Sequence, residues 1–384
     1  MKIGIMTFWW SETNYGQILQ CYALQKYLQD AGHDAYLIRF HSEKSIPSPI
    51  RKPLLAQIKK TFNPINLYKF LLHKKIKYML TIEKSKHPRN FEDFRNKHIK
   101  QTEKLYLCGE LFRKPPEADM YIVGSDQVWN PDYLKSMDII KAYFFDFGAS
   151  SIKRMAYAAS FGKEKLNPDT IKIITPLLKK IDYVSVREKS GLNICKQCGI
   201  DNAEWVPDPT LLLDADAYRA LHKDEGFKKA NKPYCFLYLI RSDVDHSVKN
   251  IHDFTCDWAQ KKGMDVIYVT GNHLNDRYSK VYPTIQKWLY LIEHAEYVIT
   301  DSYHGSIFSL LFKKKFAVIP RVGSTVENNS RLESLFELFQ IENRYIDNLD
   351  FSVLDRDIDW QSVYDTLESI RSTSKLHEII QSER

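Results

Sequence analysis

The sequence predicts an α/β fold made of two Rossmann-like, doubly wound domains. First, short apolar runs alternate with helical patterns along most of the chain, which is the order of elements that βαβ units require. Second, polar loops containing glycine follow several of these runs, as they do where parallel strands end and helices begin. Third, 384 residues exceed one ordinary core, and a hydrophobic content of 44% is enough to bury two.

The domain limits are placed by a pair of prolines and by a break in the strand–helix pattern. Pro207 and Pro209 fix the backbone on both sides of Asp208, which is typical of a joint between domains. From about residue 47 to 104 only helical pieces follow one another, and they form a basic insert in the first domain. The predicted units are a first domain over 1–213, a second over 214–345 and a helical tail over 346–384.

The individual elements follow from the spacing of apolar residues. A strand at 2–8 leads into a turn at 14–16 and a helix that ends near Gly32. Further strands of the first domain are predicted at 35–40, 120–123, 155–161 and 183–186. The second domain is predicted as strand 234–240, helix 251–262, strand 265–270, helix 285–294, strand 297–300, a helix from 307 and strand 316–319.

Cysteine usage and hydropathy exclude several classes of protein. The six cysteines are scattered, which suits reduced thiols better than a disulfide scaffold. Cys195 and Cys198 have the spacing of a zinc half-site or redox pair, but no second pair accompanies them, so no metal is expected. No apolar run is long enough to span a bilayer, and residues 1–8 resemble a strand rather than a signal peptide. A cytoplasmic protein is expected.

Positive charge is concentrated between residues 51 and 104. This segment contains fifteen Lys or Arg and four Asp or Glu, so its net charge of +11 exceeds the +7 of the whole chain. No nucleic-acid-binding motif accompanies it, and a nucleic-acid partner is not expected. A phosphorylated substrate or an anionic membrane surface suits it better, and peripheral contact with the inner face of a membrane is a hypothesis. A solvated lid is the plainer alternative.

The strongest candidate site follows the predicted strand at 297–300. Five polar or flexible residues, with His304 among them, separate this strand from an apolar helix. Ligands collect at such strand ends in parallel sheets, because backbone N–H groups and the positive helix end point into the crevice. Asp301 is expected to cap the helix or to orient the imidazole, and Ser302 and Gly305 are candidate substrate-binding residues.

Two further strand ends supply candidate residues. Asn14, Gly16 and Gln17 follow the first strand without a dinucleotide or P-loop motif, and they either line the crevice or form a tight turn. Ser125 and Asp126 follow the strand at 120–123, where Asp126 is either a general base or a structural cap.

Arginines at strand ends are candidate anion-binding groups. Arg187 follows the strand at 183–186 and either holds a carboxylate or phosphate or pairs with an acid such as Glu188. Three other arginines lie near strand ends of the second domain and are also candidate substrate-binding residues: Arg241, Arg321 and Arg331.

Taken together, these segments resemble the polysaccharide pyruvyl transferase family. The resemblance covers both predicted domains and leaves out mainly the basic insert. The matching segments are 14–16 with 23–25, 123–130, 185–188, 208–212 and 300–305.

The resemblance implies a glycosyltransferase-B-like fold and the transfer of a pyruvyl group from phosphoenolpyruvate to a sugar, as a ketal on two hydroxyls. It also implies that His304 is catalytic, that arginines hold the donor, with Arg187 the best match, and that no cofactor is needed. Many members have arginine where this chain has Ser302, so donor anchoring is expected to shift to other arginines. Many also have aspartate at Gln17.

The residue types suit this chemistry. Arginines and helix N-termini can hold a dense anion without metal, and a histidine can protonate the enol methylene or the departing phosphate. Asp126 could accept the hydroxyl proton. Two alternatives remain open at this point: a nucleotide-sugar glycosyltransferase of the same architecture, and a non-catalytic scaffold of polysaccharide assembly docked to the membrane. The sugar acceptor could be lipid-linked.

Overall fold

The computed structural model describes residues 1–41, 86–240, 251–271, 278–320, 329–342, 344–346, 348–372 and 376. Four sequence predictions fall wholly or partly outside these residues. They are Arg241, Arg321, residues 47–85 of the basic insert and part of the helical tail, mainly after residue 372.

The first half of the chain is built on a six-stranded sheet with the order β2-β1-β3-β4-β5-β6. Every neighbouring pair in it is parallel. All four residues of the central strand β3 are buried, as expected when helices cover both faces of a parallel sheet. The strands are β1 (Lys2–Met6), β2 (Asp34–Leu37), β3 (Met120–Val123), β4 (Lys153–Ala159), β5 (Tyr183–Val186) and β6 (Glu204–Trp205).

The second half carries a four-stranded parallel sheet with the order β10-β9-β7-β8. The chain leaves β7 for β8 on one side and returns to β9 on the other, so the order reverses between β7 and β9. In the first sheet the same reversal occurs between β1 and β3, and ligand crevices form at such points. The strands are β7 (Tyr234–Leu239), β8 (Asp265–Thr270), β9 (Tyr297–Thr300) and β10 (Lys315–Val318).

Twelve α-helices lie in the described part of the chain. They are α1 (Tyr15–Asp30), α2 (Phe91–His98), α3 (Cys108–Arg113), α4 (Met137–Tyr143), α5 (Pro168–Leu178), α6 (Lys189–Gln197), α7 (Ala215–Arg219), α8 (Ile251–Lys261), α9 (Ile285–Glu293), α10 (Tyr303–Leu311), α11 (Ser330–Leu338) and α12 (Trp360–Ser372). Among these described helices, none combines the length and the apolar character needed to cross a membrane.

The predicted α/β class is confirmed, with small differences in the ends of elements. Helix α10 begins at Tyr303 rather than at 307, so His304 lies in its first turn and not in the loop before it. Strand β6 was not predicted, because two residues at a sheet edge give no measurable alternation. The domain limits at 213 and 345 stay predictions.

The two halves are held together by the first turn of α1. The Tyr15 ring stacks on Trp288 of α9, with centroids 5.0 Å apart and planes at 8°, and its hydroxyl donates to the Pro283 carbonyl over 2.7 Å. Arg89 donates to the Thr270 carbonyl at the end of β8 over 2.6 Å. These contacts bring the strand ends of one sheet against those of the other.

Helix α12 packs across the joint between the halves. Arg371 of α12 donates through Nη2 to the Leu213 carbonyl over 3.0 Å. The Cys195-to-Cys198 pair lies at the end of α6 with both thiols buried, and burial raises the pKa of Cys195 to about 12. Such a thiol is poorly suited to redox or metal chemistry, which both need the thiolate.

Candidate active site

A cavity of about 450 Å³ opens between the strand ends of the two sheets. Its size falls within the range of small-molecule sites, and its walls combine aromatic with charged residues, as such sites do. Residues after β1 and β3 line one wall, and residues after β7 and β9 with the start of α11 line the other. Six of the predicted site residues line it: Asn14, Gln17, Asp126, Ser302, His304 and Arg331.

His304 extends from the first turn of α10 and packs directly on the backbone of Gly16 in α1. The residue is 8% exposed. A Cβ atom added to Gly16 would lie 2.1 Å from the imidazole Nδ1, so only glycine allows this approach. Gly16 was predicted at a strand-to-helix turn, and its contact with the imidazole explains why a side chain is excluded there.

Asp208 is the carboxylate that faces the imidazole. Its Oδ2 lies 3.4 Å from His304 Nε2 and accepts hydrogen bonds from Arg187 Nη1 at 2.9 Å and Ser125 Oγ at 2.7 Å. Its Oδ1 accepts from the backbone N and the hydroxyl of Thr210, at 3.0 and 2.7 Å. Burial alone would raise the pKa of Asp208, but His304, Arg187 and the donated hydrogen bonds outweigh it and hold the pKa far below its usual range.

Arg187 is completely buried and has an acid partner. Burial would lower its pKa, but Asp208, together with smaller contributions from Tyr303, Asp126 and Glu188, outweighs burial and raises the pKa above the ordinary value. Of the two alternatives in the sequence, pairing with an acid is therefore observed, and the acid is Asp208 rather than Glu188. Two guanidinium nitrogens of Arg187, Nε and Nη2, still have no hydrogen-bond partner within the described residues. Glu188 Oε1 instead accepts from the backbone of the loop after β4.

A second buried guanidinium lies beside Arg187. Arg331 at the start of α11 lines the cavity, and the ring of Tyr303 packs against both arginines, with Cζ-to-centroid distances of 4.9 Å for Arg187 and 5.9 Å for Arg331. Burial, followed by repulsion from Arg187, lowers the pKa of Arg331 to about 10. Both guanidinium groups are charged at neutral pH, and that of Arg331 lies at the cavity wall, where it would attract an anion.

The prediction that Asp301 caps the histidine helix is wrong. Ser302 is the N-cap of α10, and its hydroxyl accepts from the Gly305 amide over 3.2 Å. Asp301 Oδ1 accepts from the Ile240 amide over 2.7 Å and ties the ends of β9 and β7 together. Gly305 packs against β9, since a Cβ there would lie 2.6 Å from Thr300 Oγ1.

The remaining predicted residues after β1 and β3 hold the loops that form the opposite wall. Asn14 caps α1 by accepting from the Gln17 amide over 3.3 Å. Asp126 has a positive φ of 79°, an uncommon backbone conformation for a residue other than glycine, and its Oδ1 accepts from the Gln127 amide over 2.8 Å. Its carboxylate lines the cavity. Ser125 does not line the cavity and instead bridges Arg187 and Asp208.

Sequence reasoning missed two residues of the site, Asp208 and Tyr303. The prolines beside Asp208 were interpreted as a joint, although the same rigidity also fixes the direction of a side chain between them. The sequence Asp208-Pro209-Thr210 could have indicated the role of Asp208, because an aspartate directly before a helical turn usually accepts a hydrogen bond from a backbone amide of that turn. Tyr303 gave no signal of its own, because a tyrosine that opens an apolar helix is typical of a core.

Comparison with protein families identifies the chain. The sequence profile of the polysaccharide pyruvyl transferase family matches residues 14–321, which is most of the chain. The chain belongs to this family. The match includes strands β2 to β10 and every site residue described above except Arg331, which lies beyond its end, and strand β1 precedes its start. A search of curated proteins finds no significant match.

Solved structures with a similar fold include UDP-GlcNAc 2-epimerases and a glycosyltransferase. The UDP-GlcNAc 2-epimerase from Neisseria meningitidis bound to UDP-GlcNAc is 11% identical, with a TM-score of 0.51 over 100% of this chain and 99% of its own. The UDP-GlcNAc 2-epimerase from Methanocaldococcus jannaschii is 14% identical, with a TM-score of 0.49 over 100% of both chains. The glycosyltransferase SnogD from Streptomyces nogalater is 10% identical, with a TM-score of 0.42 over 97% of this chain and 94% of its own. The first of these confirms the glycosyltransferase-B-like fold and, at this identity, nothing further.

Proposed function

We propose that this protein transfers a pyruvyl group from phosphoenolpyruvate to two hydroxyls of a sugar, forming a cyclic ketal in capsular or exopolysaccharide biosynthesis. Membership of the family supports a polysaccharide pyruvyl transferase in general terms. The observation that carries the specific proposal is the His304 imidazole, held between Gly16 and Asp208 beside two buried arginines. A proton donor next to an electropositive pocket is what an enol phosphate requires.

The donor anion would bind on the wall formed by Arg331, Ser302 and the N-terminus of α10. Arg331 lines the cavity and is already protonated at neutral pH, with a pKa of about 10. The amide groups that open α10 add partial positive charge at the same place. Arg331 therefore supplies a guanidinium close to Ser302, where many members of the family carry an arginine. Arg187 lies behind Tyr303 and contributes charge from inside the protein.

His304 would move the proton that starts the reaction. Asp208 faces Nε2 over 3.4 Å, so the proposal assigns Nδ1, on the side of Gly16, to the substrate. In the proposed first step Nδ1–H protonates the methylene carbon, and a sugar oxygen bonds to the adjacent carbon while its proton passes to Asp126 or back to His304. Asp208 stays opposite the imidazole during this step.

The second step closes the ring. A second sugar hydroxyl bonds to the same carbon as the carbon–oxygen bond to phosphate breaks, and the proton of that hydroxyl leaves with the phosphate. The products are one cyclic ketal and one inorganic phosphate, so no electrons are exchanged. The step needs no resident metal or other cofactor, because arginines and helix amides neutralise the phosphate.

The proposal includes a cytoplasmic location and an acceptor that could be carried on a lipid. The basic segment would then dock on anionic lipid, and most of it lies outside the described residues. Co-sedimentation with anionic but not with neutral liposomes is expected. Equal co-sedimentation with both kinds of liposome removes this part of the proposal without affecting the chemistry.

The test of the reaction measures phosphate release from phosphoenolpyruvate in the presence of sugar acceptors. His304→Asn is expected to lower the rate by about a hundredfold to ten-thousandfold, since proton transfer by a positioned group contributes that much. His294→Asn, at the more exposed end of α9, serves as the matched control and should retain full activity. Near-normal turnover by His304→Asn refutes the role of the imidazole. Turnover of a nucleotide sugar without phosphoenolpyruvate supports the glycosyltransferase alternative, and donor binding without turnover supports the scaffold.

A further inference from the structure

Three aromatic side chains form a shelf on the first-sheet wall of the cavity. Phe8 follows β1 and is 7% exposed, whereas Trp10 is 37% exposed and Tyr133, from the segment after β3, is 46% exposed. The centroid of Phe8 lies 5.0 Å from that of Trp10 and 5.7 Å from that of Tyr133. All three residues line the same cavity as His304. We call this group the aromatic shelf.

Phe8 and Trp10 of the shelf pack against other rings, and Trp10 and Tyr133 are partly exposed. The Phe8 ring packs edge-on against the buried Tyr143, with centroids 5.5 Å apart, and Trp10 packs against His41 at 5.4 Å. The folded chain thus fixes the rings but leaves faces of Trp10 and Tyr133 in contact with water. Large aromatic surfaces exposed side by side in a cavity mark a binding site more often than a defect of packing.

The surroundings of the shelf are polar and charged. Asp126 and Asp132 supply carboxylates, Gln127 an amide and Lys135 an ammonium group along the same cavity. A ligand that suits this wall has an apolar face for the rings and hydrogen-bonding groups around its edge. A pyranose ring has this character, because its axial C–H bonds form an apolar patch and its hydroxyls point outward.

The angles between the rings favour a sugar over a nucleobase. The planes of Phe8 and Trp10 meet at 53° and those of Phe8 and Tyr133 at 90°. A flat base binds best in a slot between parallel rings, and neither Trp10 nor Tyr133 is parallel to Phe8. A puckered sugar ring can contact faces and edges that are tilted in this way.

We infer that the aromatic shelf binds a pyranose ring of the acceptor, with Trp10 and Tyr133 as the residues that stack on it and set its orientation. The inference rests on the proposed function only in calling the bound sugar the acceptor. Sugar binding by the shelf can be tested independently of that function. Donor and acceptor would occupy opposite walls, since Arg331, Ser302 and His304 belong to the second-sheet wall. The acceptor hydroxyls would then face the imidazole across the cavity.

Saturation-transfer NMR with methyl pyranosides of glucose, galactose, mannose and N-acetylglucosamine tests the shelf directly. Wild-type protein should transfer saturation mainly to the C–H protons of one face of at least one sugar. Trp10→Ala and Tyr133→Ala should each weaken that binding by about tenfold, and Trp10→Phe should restore much of it. Tyr364→Ala removes a tyrosine of α12 that is 47% exposed and lies outside this cavity, so it should bind like wild type.

The outcomes separate the shelf from the reaction. Any one of three results overturns the inference. They are unchanged sugar binding in both alanine variants, no binding of any of the four sugars to wild type, and stronger binding of uridine than of sugars at Trp10. Phosphoenolpyruvate affinity, measured by calorimetry, should be the same in wild type and Trp10→Ala. Absence of phosphoenolpyruvate binding together with intact sugar binding refutes the proposed donor and leaves the shelf standing.

Discussion

The buried pair of Asp208 and Arg187 gives a prediction whose size follows from the structure. Neither side chain is exposed at all, and Asp208 is the one carboxylate within salt-bridge distance of Arg187 in the described part of the chain. Changing Asp208 to Asn keeps the shape but leaves a buried guanidinium without its counter-charge. Changing Arg187 to Met leaves the carboxylate with Ser125, Thr210 and His304.

The expected costs differ between the single and double variants. Breaking a buried ion pair by removing one partner costs about 3–5 kcal/mol of unfolding free energy, whereas replacing both partners is often nearly neutral. Asp208→Asn should therefore cost about 3–5 kcal/mol, and Arg187→Met somewhat less because the carboxylate retains three other partners. The double variant should be more stable than the sum of the two losses implies, by at least about 2 kcal/mol.

Urea unfolding of wild type, both single variants and the double variant measures this coupling. The transition should be followed by circular dichroism and by tryptophan fluorescence, because a free energy can be extracted only where the two curves coincide. Additive losses within about 0.5 kcal/mol would show that the two charges do not interact as the structure implies. That result would also remove the reason for assigning Arg187 a structural partner.

Three further predictions concern the same cavity. Gly16→Ala would place a methyl group on the imidazole of His304, so activity should fall at least tenfold. Gly109→Ala is the control and should be active, because nothing lies within 4 Å of a Cβ at that position. Equal activities of the two variants would contradict the packing of His304 on Gly16. Burial, followed by repulsion from Arg187, lowers the pKa of Arg331 to about 10 and disfavours its charged form by roughly 3 kcal/mol, so Arg331→Met should stabilise the ligand-free protein by up to that amount and abolish phosphoenolpyruvate binding in calorimetry. A less stable variant with normal donor affinity would refute this. The folded pKa of Asp208 is depressed, so the stability that its carboxylate gives the fold is fully present above the unfolded pKa of about 4 and is lost as pH falls toward the folded pKa. Asp208→Asn should lack this part of the pH dependence when the free energy of unfolding is measured in urea between pH 3 and 7. Parallel plots of unfolding free energy against pH for wild type and variant would argue against it.

The fold could be predicted because each buried strand is a nearly continuous apolar run. Strands such as β9 (Tyr297–Thr300) and β7 (Tyr234–Leu239) are almost completely buried, so their sequences differ sharply from the polar loops that follow. Strand β6 (Glu204–Trp205) could not be predicted, because it is short and lies at an edge. The start of α10 was placed too late, since its first turn contains His304 and Gly305, which resemble loop residues.

Site residues could be predicted only where they directly follow a predicted strand. His304, Gly16 and Asp126 all follow strands that meet at a reversal of strand order, and the cavity lies between them. The partner of the imidazole could not be chosen from sequence, because Asp208 is 96 positions away and Asp301 only three. Local proximity favoured Asp301, but its carboxylate accepts from the Ile240 amide instead.

The aromatic shelf shows a second limit of sequence reasoning. Phe8 and Trp10 continue the apolar run of the first strand and resemble core residues. Tyr133 comes from a segment more than a hundred positions away. Only the pairing of β1 with β3 places these rings side by side, and only the structure shows that Trp10 and Tyr133 remain exposed.

Mass spectrometry of sugar acceptors after incubation with the protein and phosphoenolpyruvate tests the central claim most directly. We expect nucleotide-linked or lipid-linked sugars to gain the mass of pyruvate less one water, with one phosphate released per ketal. The gain should be absent with His304→Asn and present with His294→Asn. Phosphate release without any gain of mass, or the same gain with His304→Asn, would contradict the claim that this imidazole protonates an arginine-held enol phosphate.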